Sequence, residues 1–211
     1  MQYFSRNKLL AGCIAFCGLF SCRSVYTGME QVSVKDSCLM PLQPVFVNEL
    51  YKAQVTITNH QLSGLLLIKQ MPDQSRRVVF STETGVKFFD FEFTENGEFS
   101  VIDILKKLNK KVIVNALRED FELLLMQERG KIPGKLLKNE LYFYHGYAKG
   151  KKQAWYLTDL NCQQLVGAEL SSKRKPLVQL KYFHQGTGSP DSIFLKHLNF
   201  KFNIALKKLE R

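Results

Sequence analysis

Acidic side chains are scarce in this 211-residue chain: 19 Asp and Glu stand against 30 Lys and Arg, for a formal charge of +11. That balance disfavours cationic partners and favours anionic surfaces such as lipid headgroups, lipopolysaccharide or nucleic acid. Histidine is sparse too. His60, His145, His184 and His197 lie far apart, without the spacing of a metal site, and His145 and His184 read as structural residues within strands. No G-x-S-x-G elbow is present. Gly130 to Lys135, GKIPGK, lacks the spacing and the hydroxyl of a phosphate-binding loop. Gly186-Thr187-Gly188 is a lone G-x-G. Asp90 and Glu92 could act as an acid–base pair, but on one strand face they read as solvated. Internal repeats and low-complexity segments are absent. Together these absences point away from an enzyme, with no cofactor and no metal expected. A hydrolase would need a Ser–His pair that the sequence does not display.

Among the features present is an N-terminal export pattern. Arg6 and Lys8 precede an uncharged, mostly apolar run from Leu9 to Phe20. The run suits a signal region of about 7–15 apolar residues and is too short for a membrane-spanning helix, which needs about 20. Two cysteines end lipobox-like tetrapeptides, Leu10–Cys13 and Leu19–Cys22. Cleavage before Cys13 would leave only Leu9 to Gly12 as the apolar stretch. Cleavage before Cys22 leaves one of the right length, so residues 1–21 read as a lipoprotein signal and Cys22 as the acylated first residue. Phe20 departs from the small residue usual in that motif. Two acyl chains on one cysteine give a stable anchor where one would not. Arg23 follows Cys22 in place of an acidic retention residue, which suits the outer membrane by analogy with known sorting rules.

Removing the two positive charges of residues 1–21 from +11 leaves +9 on the mature chain. An exported protein rarely meets nucleic acid, so anionic lipid is the favoured partner. Cys38 and Cys162 remain after processing. The exported compartment permits a disulfide between them, and they could equally be two separate buried thiols.

Arg23 to Pro44 lacks periodicity and reads as a tether. Beyond it, Tyr51, Ala53, Val55 and Ile57 alternate with polar residues, the period of a strand with one buried face. Strands are expected at HQLSGLLLIKQ, RRVVFSTE and VKFFDFEFT, followed by an Asn96-Gly97 turn. Sixteen Phe and eight Tyr add to the β character. Ser100 to Asp103 resembles a capping box, with Ile104, Leu105 and Leu108 at helical spacing. A second helix is expected over Asn115 to Glu128, with Leu117, Phe121, Leu124 and Leu125 as its apolar stripe. Strands resume at LYFYHGYAK, QAWYLTD, CQQLVGAELS and LVQLKYFH, with a last one through HLNFKFNIAL. The expected fold is mostly β with inserted helices (α+β). Two helices would cover the concave face of a curved antiparallel sheet incompletely, leaving an apolar cavity.

The lipobox, Leu62 to Lys69, Arg77 to Phe93, two mid-chain helices and a strand-rich end resemble the LolA/LolB-like lipoprotein carriers and outer-membrane receptors. The resemblance covers most of Tyr51 to Leu209. It implies a half-barrel of antiparallel strands with a two- or three-helix lid, whose cavity holds the acyl chains of lipoproteins in transit. It also implies a periplasmic carrier protein as partner. The family's receptor exposes a leucine on a loop between two strands. The matching loop here, Thr82 to Val86, has Thr84, Gly85 and Val86 at its tip and no leucine. Thr84 and Val86 are thus the candidate membrane-facing residues, and insertion of cargo by a leucine is not implied.

The resulting expectation is an outer-membrane lipoprotein on the periplasmic side. It comprises a signal (1–21), an acylated N-terminus and tether (22–44) and a lipid-binding half-barrel (45–211), and takes part in lipoprotein or lipid transfer. Phe89, Phe91, Phe93, Leu105, Leu108, Leu117, Phe121 and Leu124 are the candidate cavity residues. Lys106, Lys107, Lys110 and Lys111, with Lys149, Lys151 and Lys152, are ordinarily solvated and would otherwise dock to anionic headgroups or an acidic carrier. The alternative is a non-catalytic structural or interaction lipoprotein of an envelope assembly, presenting a sheet edge or basic face.

Overall fold

A computed structural model describes residues 24–127, 131–184 and 188–210. Cys22, the signal segment, Glu128 to Gly130 and Gln185 to Thr187 lie outside the described residues. The chain forms strands β1 (Glu30–Val32), β2 (Asn48–Ile57), β3 (His60–Gln70), β4 (Arg76–Ser81), β5 (Lys87–Phe93) and β6 (Phe99–Ile104). Helix α1 (Lys111–Leu124) follows. Then come β7 (Lys135–Lys138), β8 (Tyr142–Lys149), β9 (Lys152–Asp159), β10 (Leu165–Ser171), β11 (Pro176–Phe183), β12 (Ser192–His197) and β13 (Phe202–Lys208).

The thirteen strands among the described residues belong to one open antiparallel sheet, ordered β1-β7-β8-β9-β10-β11-β12-β13-β2-β3-β4-β5-β6. Short hairpin turns set most of that order. Gly97 (φ +86°) and Gly85 (φ +91°) supply left-handed backbone in two of them. The β13–β2 pairing joins the C-terminal half of the chain to the N-terminal half, with Ile204 opposite Val55. At Gly64 of β3, a Cβ would sit 2.1 Å from the Ser81 carbonyl oxygen, so only glycine lets β4 close in.

The sheet must curl. Helix α1 touches β5 through Phe121 and Phe89 (ring centroids 5.6 Å) and β9 through Glu119 and Lys152 (2.6 Å). Those strands are eight places apart in the sheet. At roughly 4.8 Å per strand a flat sheet would put them about 38 Å apart, against about 10–12 Å for a helix with its side chains. The strands therefore wrap around α1. Phe80, Phe89, Phe91, Tyr156, Leu170, Leu180 and Leu206 meet α1 in the main core. A second cluster on the outer face holds Leu137, Tyr144, Trp155 and Leu157, with Tyr26 and Met29 packed on it.

Several sequence expectations are corrected. The expected lid of two or three helices is a single helix among the described residues. The segment at Ser100 to Asp103 is strand β6, not a helix start. Val101, Ile102 and Ile104 are β-branched and favour extended backbone, and pairing with β5 supplies their hydrogen bonds. Asp103 meets Lys87 at 3.2 Å instead of capping a helix. Helix α1 begins four residues before the expected Asn115 and ends at Leu124; Met126 beyond it has φ +52°. The strand expected through HLNFKFNIAL is interrupted: β12 ends at His197, β13 starts at Phe202, and Leu198 and Phe200 sit half-exposed in the turn.

The tether also proves structured from Ser24 on. β1 pairs with β7, Leu39 and Phe46 are buried, and Cys38 forms a disulfide with Cys162 across a Cα–Cα distance of 5.8 Å. Asp90 is buried, not solvated, and Arg77 binds both of its carboxylate oxygens at 2.9 and 2.6 Å, with Glu92 3.8 Å away.

A candidate acyl-binding cavity under the helix

Between the first half of α1 and the sheet lies a cavity of about 140 Å³. Its lining is wholly apolar. Val112, Ile113, Ala116, Leu117 and Phe121 project from the helix. Ala53, Val55 and Ile57 come from β2, and Phe202, Ile204 and Leu206 from β13, as period-two alternation dictates. Leu62, Leu66, Phe80 and Phe89 close one side, and Leu108 and Phe200 stand at the turns. An apolar cavity of roughly 150 Å³ stays dry and admits a benzene ring. The cavity is thus of a size for a short length of hydrocarbon.

The two ends of α1 are held differently. At its C-terminal end, Tyr182 Oη donates to the Leu124 carbonyl (3.1 Å) and Arg76 donates to the Leu125 carbonyl (2.9 Å). These bonds occupy carbonyls that a helix end leaves unpaired. Glu122 pairs with Lys149 (2.5 Å) and Arg118, and Glu119 with Lys152. Lys149 and Lys152 are therefore ties to the helix, not free cations. Asp120, almost wholly buried, meets His197 Nε2 at 2.9 and 3.0 Å. Burial pushes the Asp120 carboxyl up to about 6, and His197 partly offsets the rise.

The N-terminal end has none of this. Lys110 occupies the N-cap position and offers no side-chain hydrogen bond, and the first turn holds no acid. Lys110 and Lys111 place positive charge at the positive end of the helix dipole. Val112 lines the cavity yet is 82% exposed. The helix is pinned at one end and covers an apolar hole with the other.

Of the eight sequence-predicted cavity residues, Phe89, Leu108, Leu117 and Phe121 line the cavity. Phe91, Phe93 and Leu124 are buried elsewhere in the core and do not line it. Phe91 and Phe93 pack on Phe99 at 5.2 and 5.3 Å, and Arg118 lies 5.2 Å over that ring. Leu105 is 39% exposed in the turn after β6. The walls from β2 and β13 were missed as a site, although their alternation marks a buried face. Thr84 and Val86 lie in the β4–β5 turn, with Val86 exposed.

Among the remaining polar groups, His145 is fully buried between Ser37 Oγ (2.9 Å) and Thr158 Oγ1 (3.1 Å). His184 lies one residue past β11. Among the described residues no three His, Cys, Asp or Glu side chains gather as a metal site, and no helix is long and apolar enough to cross a membrane.

No family model and no curated protein matches the sequence. Solved structures similar to this chain include a LolA superfamily protein from Nitrosomonas europaea, at 8% identity and a TM-score of 0.48 over 84% of this chain and 90% of that one. Another is a domain from Vibrio parahaemolyticus named for outer-membrane lipoprotein sorting, at 5% identity and a TM-score of 0.48 over 84% and 92%. A DUF1329 family protein from Desulfovibrio piger follows at 7% identity and a TM-score of 0.42 over 77% and 84%. At these identities and TM-scores the likeness assigns no function.

Proposed function

We propose that this chain is an outer-membrane lipoprotein of the periplasmic side, anchored through Cys22, that binds acyl chains beneath α1 and takes part in lipoprotein or lipid transfer. The observation that carries this reading is the wholly apolar cavity under the unpinned end of the helix. Each methylene moved from water into it contributes about 0.8 kcal/mol. A cavity of this size takes only part of a long acyl chain, so loading requires the Lys111 end of α1 to lift while the Leu124 end stays bonded. The curved sheet then acts as a half-barrel and the single helix as its lid. No covalent step is needed. Native mass spectrometry of the mature full chain from a periplasmic membrane extract, with lipid extraction, tests the reading. Bound acyl lipid is expected. A ligand-free mass together with no uptake of added fatty acid would contradict it.

One observation favours a second reading, an interaction lipoprotein of an envelope assembly. β6 ends the sheet, and Val101 and Ile102 on it are exposed. An unpaired edge with apolar side chains can receive a strand from a partner. A stable co-purifying protein lost on Val101→Lys would support that reading.

A further inference from the structure

The antiparallel order sorts the hairpin turns onto two rims. The β2–β3, β4–β5, β8–β9, β10–β11 and β12–β13 turns share one rim. Their residues include Lys151, Lys173, Arg174, Lys175 and Lys201, against one acid, Glu83, which pairs with Lys52 at 3.7 Å. The opposite rim carries the β3–β4, β5–β6, β7–β8, β9–β10 and β11–β12 turns, whose own residues include Asp73, Glu95, Glu98, Glu140 and Asp191 and no Lys or Arg. The turns of the first rim are therefore basic; those of the opposite rim carry acids, with Lys69, Arg76, Lys138 and Lys208 at the strand ends beside them.

The chain enters at the basic rim. Val25 N–H donates to the Arg174 carbonyl at 3.0 Å, in the β10–β11 turn. From there Tyr26 lies on the outer face, stacked on Trp155 (5.0 Å), with its hydroxyl on Glu169 (2.9 Å). Beside this stack is a cleft of about 590 Å³ lined by Ser24, Lys135, Lys151 and Lys173, among others, and by Lys152, whose charge Glu119 already holds. Only Arg23 separates Ser24 from Cys22, so the two Cα atoms lie within a reach of at most about 7 Å. The cavity mouth, at Phe200 and Val112, belongs to the same rim.

We infer that the basic rim, centred on the Tyr26–Trp155 cleft, docks on the anionic phosphodiester headgroups of the bilayer that holds the chain's own lipid anchor, and so faces the acyl cavity toward that membrane. The inference rests on the anchor proposed at Cys22. Docking of residues 24–44 on the sheet removes the slack of a long tether, so the anchor alone brings this rim to the surface. Lysines within a Debye length of anionic lipid then hold it there.

The chain's single tryptophan sits at the cleft and reports on it directly. The mature full chain is first weighed intact, then reconstituted into vesicles of phosphatidylglycerol and phosphatidylethanolamine, or of phosphatidylcholine alone, each with brominated acyl chains as a short-range quencher. Trp155 emission should fall in the anionic vesicles and much less in the zwitterionic ones. The variant Lys151→Glu/Lys173→Glu/Arg174→Glu should recover most of it, with an unchanged thermal unfolding midpoint. Raised salt should act as the variant does. An acylated chain whose Trp155 is unquenched in anionic vesicles, or quenched equally in the variant, overturns the docking face and leaves the anchor standing. A mature chain without acyl mass overturns the anchor, and the docking inference with it. Should the triple variant misfold, Lys151→Gln/Lys173→Gln is read in the same way.

Discussion

His145 shows how a single side chain sets a pH limit. Burial without a charged partner lowers its pKa to about 4, from 6.5 in the free residue. Between those values the unfolded chain binds a proton that the folded chain does not. Stability from this residue is thus full above pH 6.5 and is lost as pH falls toward 4, by roughly 3 kcal/mol. Asp120 acts with the opposite sign, its raised pKa favouring the folded state as pH falls. The clean measurement is therefore a difference: urea unfolding of wild type and His145→Gln from pH 7 to 4. The wild type should lose more stability over that range than the variant. Equal slopes would contradict the account. The disulfide offers a second test at this scale. Cys38 and Cys162 are 124 residues apart, and Cys38→Ser should cost about 2–4 kcal/mol, with faster proteolysis within residues 24–44. The sequence allowed the pair without requiring it, because only the fold brings a segment before β2 against the β9–β10 turn. Phe89, Leu117 and Phe121 were legible as inward residues from period alone. Leu105 was misread because its helical spacing to Leu108 falls in a turn.

The element that governs the cavity is α1, and its weak point is its start. A side-chain cap adds about 1 kcal/mol where none exists, and a carboxylate suits the dipole there. Lys110→Asp should therefore raise the thermal midpoint slightly and slow uptake of a fatty acid in stopped flow. Faster uptake would mean that the lid opens elsewhere. Loosening the other end should act in reverse: Tyr182→Phe removes the hydroxyl bond to Leu124 and should speed exchange of the α1 amides at residues 121–124. Most strands were legible because alternation or continuous apolar character marks them, as His60 to Gln70 shows. β6 was not, since its four exposed residues from Ser100 to Asp103 make no alternation and a Ser-x-x-Asp start outweighed its β-branched content. β1 and β7 escaped notice because three- and four-residue strands carry too few positions for a period. The break at Leu198 to Lys201 was hidden by the alternation of Leu198, Phe200 and Phe202, which holds in sequence across a turn.

At the scale of the whole molecule, a mostly antiparallel sheet under a partial helical cover followed from strand order and turns. Its curl and its basic rim did not. They depend on the β13–β2 and β1–β7 pairings, which join residues more than a hundred positions apart. The cavity depends on them too, since β13 and β2 form its floor. The central claim is that this floor and the free end of α1 enclose a site for hydrocarbon, and filling the site tests it most directly. Ala116 lines the cavity from the helix and is only half-buried, so Ala116→Trp places an indole there at little cost to the core. Titration calorimetry of a long-chain fatty acid into the mature chain should show saturable binding, weakened about tenfold or more in the variant, a loss of at least ~1.4 kcal/mol, with an unchanged unfolding midpoint. Equal binding by both proteins, or none by the wild type, would contradict the account.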